Sequence, residues 1–394
     1  MDTSPLHTIL RDWVCEQELN GIKQHSEEWQ KVRVCTVGGS SLATIQGINP
    51  FSTIENFVSE RLGLRKFKGG IQPQWGNLFE DVIKRVVEYD HKCTILGEDL
   101  YIPGGMNNPG LSYSPDGLAV IKLPITIRTA YSLPEETIVL LEFKCPYSRI
   151  PEGKVPKYYI PQVKMGLELL EFPTIGLFVE GVFRRCTWQQ LGFDPECDQL
   201  LVKTKTSNPL AIGIIGVYFN PINNLDNSLT LKYNRMMEMY REVFGEAGSI
   251  SNDYLNNDLG ACSSELFTLI IDCIDCSILT AYYGNITYSD NTADVNAFVK
   301  NELIEYNKFC TKECVVNMGI LPWKLFRLDY NYIEKEVGYL SPWIPKINEI
   351  VDLLRECCDP INETKKFNIL QSFAEKNRQE AIEKKLNNQT RITG

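Results

Sequence analysis

Histidine is nearly missing from this chain: three among 394 residues, His7, His25 and His91, none of them in a metal-ligand spacing. That scarcity excludes imidazole-rich metal sites and Ser-His-Asp triads, both of which need histidine in suitable company. Hydrolytic chemistry in this chain has to run on carboxylates, lysine and a hard cation. Also missing are a basic-then-apolar leader and any apolar stretch long enough to span a bilayer, so a soluble, intracellular protein with no membrane partner is expected. Positive charge is in the minority, with 40 Lys and Arg against 50 Asp and Glu and a net charge of -10. A generally basic nucleic-acid coat is thereby excluded, whereas a local basic cleft is not. The thirteen cysteines are odd in number and scattered through apolar segments, which suits reduced thiols better than a disulfide framework. No internal repeat is visible.

Enough apolar sequence is present, 43%, to bury a large core. We expect one domain over residues 1–360, with a core at about 22–220 and a C-terminal elaboration at 221–360. A charged helical or disordered tail at 361–394 carries Lys365, Lys366, Lys384, Lys385 and Arg391. The stretch Ser112 to Lys164 organises the rest. Ser114-Pro115-Asp116-Gly117 is a turn signature, and Thr137 to Phe143 is a nearly continuous, β-branched run that reads as a buried strand. On a strand Glu142 and Lys144 share a face while Phe143 points into the other layer. A carboxylate ending a buried run is costly unless positive charge meets it, and a divalent cation would do so. The strands flanking the connection that contains Leu133-Pro134-Glu135-Glu136 are most simply a hairpin, which brings Asp116 close to Glu142.

Around this stretch the chain shows helices, turns and basic clusters. Residues 1–20 read as a short helix. Ser26 caps a helix through Arg33, and Arg33 itself has the plain reading of an exposed helix arginine. Gly38-Gly39 ahead of a Ser40-capped helix, closed by Asn49-Pro50-Phe51, offers backbone N–H groups to an anion, although such turns are common. Arg61, Arg65, Lys66 and Lys68 form either a solvated face or a DNA-contact loop. A core-facing helix spans Trp75 to about Tyr89 and carries Glu80. After Lys144, Cys145-Pro146 breaks the strand, and Arg149, Lys154, Lys157 and Lys164 stand against Glu152 alone. A phosphate backbone is the natural partner of such a segment. A helix starts near Pro161 with Gln162, Met165 and Leu169 on one flank, and Thr174 to Val182 is another buried strand. Later come Asn-rich turns, a helix to about Phe244, a loose loop at 249–259, a strand start at Leu321 to Phe326 and a helix from Ile344 to Leu354. Cys273 and Cys276 lie in a strand-like apolar run; with Cys310 and Cys314 they offer four thiols for zinc, but buried thiols are the simpler account.

Taken together, Trp29 with Arg33, Val37-Gly38-Gly39-Ser40, Gly76 to Glu80, Ser114-Pro115-Asp116-Gly117, Glu142-Phe143-Lys144-Cys145-Pro146 and Tyr159 to Gln162 resemble a known family. They are similar, in order, to the lambda-exonuclease-like (YqaJ-type) viral recombinase nucleases of the PD-(D/E)XK superfamily, in the version found in large nucleocytoplasmic DNA viruses. The resemblance covers roughly residues 26–185, with an echo at Leu321 to Phe326. It implies an α/β fold: a restriction-endonuclease-like core with a mixed central sheet flanked by helices. It implies that Asp116, Glu142 and the main-chain carbonyl of Phe143 hold Mg²⁺, with Mn²⁺ as a substitute. Lys144 then orients the attacking water, Glu80 lies at the edge of the metal site, and Gln162 stands beside the water. Arg33, Ser40 and Ser114 hold a terminal 5′-phosphate, with Gly39 in the same turn. Lys164 departs from the family pattern, where a second glutamine is frequent.

The expectation is a Mg²⁺-dependent 5′→3′ exonuclease on double-stranded DNA ends, acting in viral recombination, replication or repair, in the host cytoplasm or nucleus. Arg149, Lys157 and Lys164 are the further candidate DNA contacts. A single-strand annealing protein and further copies of the chain are the partners such a reading admits. The rivals are a structure-specific or flap endonuclease with the same metal core and a catalytically silent DNA-end-binding scaffold. A surface ion pair between Glu142 and Lys144 is the plain structural alternative.

Overall fold

The computed structural model describes residues 4–24, 26–65, 70–105, 108–170, 172–193, 210–223, 225–246, 257–289, 291–362 and 366–392. His25, Lys66, Lys68, Lys365 and most of the loop expected at 249–259 lie outside the described residues.

Among the described residues nine strands build two sheets. They are β1 (Val37–Gly38), β2 (Ile102–Pro103), β3 (Leu111–Tyr113), β4 (Gly117–Lys122), β5 (Glu136–Lys144), β6 (Ile175–Arg185), β7 (Ala211–Phe219), β8 (Thr280–Thr287) and β9 (Val316–Glu334). The large sheet runs β4-β5-β6-β9-β7-β8 and the small one β1-β3-β2. Of these strands, β5 and β6 alone pair in parallel within the large sheet, so the expected mixed sheet is present.

β5 forms because seven consecutive residues from Thr137 to Phe143 are buried, most of them branched or aromatic. Burying such side chains contributes roughly 1.5–3 kcal/mol each, which offsets the one acid among them. Its two faces diverge. Leu140 belongs to the cluster with Tyr113, Val163, Leu167 and Phe178, whereas Leu141 and Phe143 pack with Phe79, Val82 and Ile83 of the helix Ile71–His91. Helices therefore flank the sheet on both sides, as expected. The crossover helix Ile160–Leu169 lies close to the strands: a Cβ on Gly176 of β6 would stand 2.4 Å from a Val163 methyl.

The hairpin holds, with Gly117 opposite Leu141 across β4 and β5. Its connection carries a helix, Ile125–Tyr131, that its sequence did not announce. β9 lies between β6 and β7, so residues from 221–360 supply a central strand of the same sheet as residues from 22–220. The stretch Leu321 to Phe326 lies well inside that strand rather than at its start.

Several local expectations are corrected. Gly38, not Ser40, occupies the cap of the helix Gly39–Ile45, because β1 runs up to Gly38 and leaves Ser40 inside the first turn. That helix stops before Asn49-Pro50, where Gly47 takes a left-handed conformation (φ +71°). Cys273 lies in the helix Ser264–Asp275, and Cys276 caps it; the buried Leu266, Phe267, Ile270, Ile271 and Cys273 recur at helical spacing, which overrides the strand-like apolar content. Among the described residues no group of three or more His, Cys, Asp or Glu is arranged to hold a metal, so the four thiols form no zinc site. No helix among the described residues is long and apolar enough to cross a membrane.

Candidate functional site

The site is assembled at the end of the β4–β5 hairpin. The turn before β4 sets Asp116 beside β5, where its Oδ2 accepts the Phe143 N–H at 2.7 Å. Glu142, wholly buried, faces the same side as Lys144, and the Lys144 ammonium donates to Glu142 Oε1. The ammonium also stands 4.0 Å from Asp116 Oδ2. The Tyr113 hydroxyl donates to the other Glu142 oxygen at 3.1 Å. Three groups singled out in the sequence thus converge, and the surface ion-pair alternative fails because Glu142 has no exposed surface.

The electrostatics follow from that burial. Desolvation, then the charge of Asp116, pushes the Glu142 carboxyl up to about 8. Asp116 is raised by desolvation too, against the opposing pull of Lys144 and the Phe143 N–H. Burial alone would lower the Lys144 ammonium, but Glu142 and Asp116 outweigh it and hold it charged. Glu80, on the helix Ile71–His91, keeps contact with solvent; desolvation in the cleft and Asp116 raise its carboxyl. The Asp116 charge opposes ionisation of the buried Glu142 carboxyl, and a second positive charge between the two acids relieves that opposition. Their oxygens, with the Phe143 carbonyl, are the hard donors that Mg²⁺ prefers, the remaining positions being water. The residues present therefore fit such a cation. Glu80 lines the larger cavity with Phe143 and Lys144, and it completes no group of three acids close enough to hold a metal.

Two cavities flank this cluster. The smaller, about 220 Å³, is lined by Arg33, Gly39, Ser40, Ser114, Asp116 and Gln162 together with Arg61 and Tyr101. It exists because β1 and β3 pair in parallel, setting Gly38 opposite Ser112, with Thr36 and Ser112 hydroxyls 3.2 Å apart. The larger, about 840 Å³, is lined by Glu80, Phe143, Lys144, Arg149, Tyr158 and Tyr159, with Phe51 at its rim. The first is below the roughly 300–1,000 Å³ of ordinary small-molecule pockets and the second lies within that range.

The remaining candidates separate. Arg149 borders the larger cavity but is paired with the wholly buried Glu180 of β6. Lys164 lines neither cavity; its ammonium pairs with Glu336 and lies 5.0 Å over the Tyr339 ring. Lys157 is exposed and also lines neither cavity. The sequence reading missed Tyr113, Glu180, Tyr101 and the cavity position of Arg61. Tyr113 had one sequence signal, its place between Ser112 and Ser114. Its ring fills a slot between two glycines, since a Cβ on Gly39 would stand 2.6 Å from it and one on Gly166 2.4 Å. Gly39, the first residue of the helix Gly39–Ile45, is therefore required by packing.

Residues 28–169 match the YqaJ-like viral recombinase domain. A protein of African swine fever virus, from a South African tick isolate, is 36% identical over 207 residues, covering 50% of this chain and 60% of that protein. The version from a Malawian tick isolate is 35% identical with the same coverage. The matched part of the chain thus spans about 60% of the length of these curated relatives. Among solved structures, an alkaline exonuclease (LHK-Exo) from Laribacter hongkongensis aligns with a TM-score of 0.30 and 21% identity over 39% of this chain and 73% of its own. Its complex with dAMP aligns with a TM-score of 0.30 and 19% identity over 44% of this chain and 76% of its own. Over residues 28–169 the chain is thus similar to the YqaJ-like viral recombinase domain, in keeping with the resemblance that its motifs carry.

Proposed function

We propose that this chain is a Mg²⁺-dependent deoxyribonuclease, a 5′→3′ exonuclease on double-stranded DNA ends that serves viral recombination, replication or repair. The observation that carries the reading is the convergence of Asp116, Glu142 and Lys144 between a small polar cavity and a larger one. The YqaJ-like match over residues 28–169 supports a nuclease role.

Asp116, Glu142 and the Phe143 carbonyl would hold the cation. Mg²⁺ bound there supplies Lewis acidity, activating water and offsetting charge that develops on the phosphate, worth several kcal/mol. Lys144 holds the attacking water in line through its ammonium, which the two acids keep protonated. Tyr113 orients the Glu142 carboxyl through its hydroxyl hydrogen bond. Arg33, Ser40 and Ser114 bind the terminal phosphate, and the strand beyond the scissile bond runs past Tyr159 and Phe51 in the larger cavity. The small polar cavity beside Asp116, which would seat a terminal phosphate, supports an end rather than an internal diester as the substrate.

The test is a digestion time course on end-labelled duplex with and without Mg²⁺, for the wild type, Glu142→Ala and Lys144→Ala. Cleavage that needs Mg²⁺ and is lost in both variants, with DNA binding retained, is the expected result. Continued cleavage by either variant refutes the assignment. Equal digestion of linear duplex and closed circles replaces the exonuclease by an endonuclease with the same core. DNA binding without cleavage in the wild type leaves the end-binding scaffold.

A further inference from the structure

The small cavity holds more positive charge than the sequence assigned to it. Arg33 stands on the helix Glu27–Val34, its guanidinium 4.6 Å over the Trp29 ring. Arg61 ends the helix Ile54–Arg61, its guanidinium 5.0 Å over the Phe57 ring. Both line the cavity, and neither is paired with a carboxylate among the described residues. Desolvation, with the like charge of Arg33 second, holds the Arg61 guanidinium down to about 10. Two neighbouring cations repel each other, Asp116 being the one acid that shares the cavity lining with them, and a ligand carrying two negative charges offsets that repulsion. A separate observation points the same way. Tyr101 lines the same cavity, is 5% exposed, and its hydroxyl has no hydrogen-bond partner among the described residues. A buried hydroxyl left unpaired is costly, so a donor aimed at ligand oxygen is the economical explanation.

Resting on the reading of this cavity as the seat of a terminal phosphate, we infer that Arg61 and Tyr101 complete it as a receptor for a phosphate monoester dianion. A phosphate monoester carries about -1.5 to -2 charges near neutral pH, whereas an internal diester carries one. Two guanidinium forks match the planar pairs of monoester oxygens, and the Tyr101 hydroxyl supplies a further donor. Charge, as well as shape, then separates a 5′-phosphorylated end from an interior phosphate and from a 5′-hydroxyl.

Binding of labelled 5′-phosphorylated and 5′-hydroxyl duplexes, measured by anisotropy in EDTA, tests this without any cleavage. Arg61→Met is expected to weaken binding of the phosphorylated end by about 10-fold and to leave the hydroxyl end unchanged, with a smaller selective loss in Tyr101→Phe. Inorganic phosphate is expected to raise the melting temperature of the wild type and not that of Arg61→Met, which itself melts no lower than the wild type. Equal weakening for both ends, or a lowered melting temperature with the preference intact, overturns the inference. If Arg33→Ala abolishes the preference while Arg61→Met keeps it, the cavity remains the phosphate seat and the roles of Arg61 and Tyr101 fall. If the wild type shows neither end preference nor a phosphate shift, both readings fall. A phosphate shift that Arg61→Met abolishes, without end preference, keeps the receptor and removes the end-recognition reading.

Discussion

Replacing Tyr113 by Phe removes one oxygen from the centre of the site and little else. The ring is 1% exposed and held in a slot between Gly39 and Gly166, so Phe keeps its packing. What is lost is the hydrogen bond to Glu142 Oε2, 3.1 Å long. Its worth depends on the state of the acceptor. Without a cation, Glu142 titrates at about 8 and is largely neutral at pH 7; a neutral hydrogen bond contributes about 0.5–1.5 kcal/mol. With a cation bound, Glu142 is ionised, and the bond to the carboxylate contributes about 1.5–3 kcal/mol. The difference, about 1–2 kcal/mol, amounts to roughly a 5- to 30-fold weaker hold on Mg²⁺. The melting temperature of the metal-free protein should fall by no more than about 4 °C. The assay is a Mg²⁺ titration of duplex digestion beside a thermal melt. A half-saturating Mg²⁺ concentration raised by that factor, with the rate restored at high Mg²⁺, is the expected result. An unchanged Mg²⁺ dependence, or a rate that no concentration restores, would refute the reasoning.

Two other outcomes follow from the same geometry. Glu142 has a raised folded pKa, so its contribution to stability is complete below the ordinary carboxylate value of about 4.3 and is lost as pH rises toward 8. Metal-free protein should melt progressively lower between about pH 5 and 8, more steeply than Glu142→Gln, and Mg²⁺ should stabilise it more at pH 8 than at pH 6; identical slopes in both proteins would contradict this. Arg149→Ala strips the partner from Glu180, whose side chain is 0% exposed while that of Arg149 is 33% exposed. Breaking a buried pair costs roughly 3–5 kcal/mol, and the partly open arginine sets the expectation at the lower end. Denaturant unfolding should show that loss, with most of it recovered by adding Glu180→Gln; full stability with weakened DNA binding would make Arg149 a DNA contact instead.

The sequence carried the site where local rules sufficed. The apolar run into Glu142 fixed a buried strand, the period of two put Lys144 on the same face and Phe143 on the other, and the hairpin set Asp116 beside them. Long-range placement was not legible. β9 enters between β6 and β7 from far along the chain, and no local pattern announces such an insertion. Tyr113 looks like any strand aromatic until Gly39 and Gly166, distant from each other in sequence, close on its ring. Arg61 sat in a run of basic residues where a solvated face was an equal reading; its turn into the cavity depends on how the helix Ile54–Arg61 packs against its neighbours. The charge of Lys164 was read correctly but not its partner, since Glu336 follows β9. Cys273 and Cys276 were misplaced although Leu266, Phe267, Ile270, Ile271 and Cys273 are buried at helical spacing; the strand reading weighed the apolar content of the run and not that period.

The central claim is that Asp116 and Glu142 share one divalent cation. It is tested most directly by titrating Mn²⁺ into the metal-free protein at pH 8, by calorimetry or by paramagnetic resonance, for the wild type, Asp116→Asn and Glu142→Gln. One binding event in the wild type that either substitution abolishes, with Lys144→Ala retaining it, is the expected result. Binding that survives in both carboxylate variants would contradict the account.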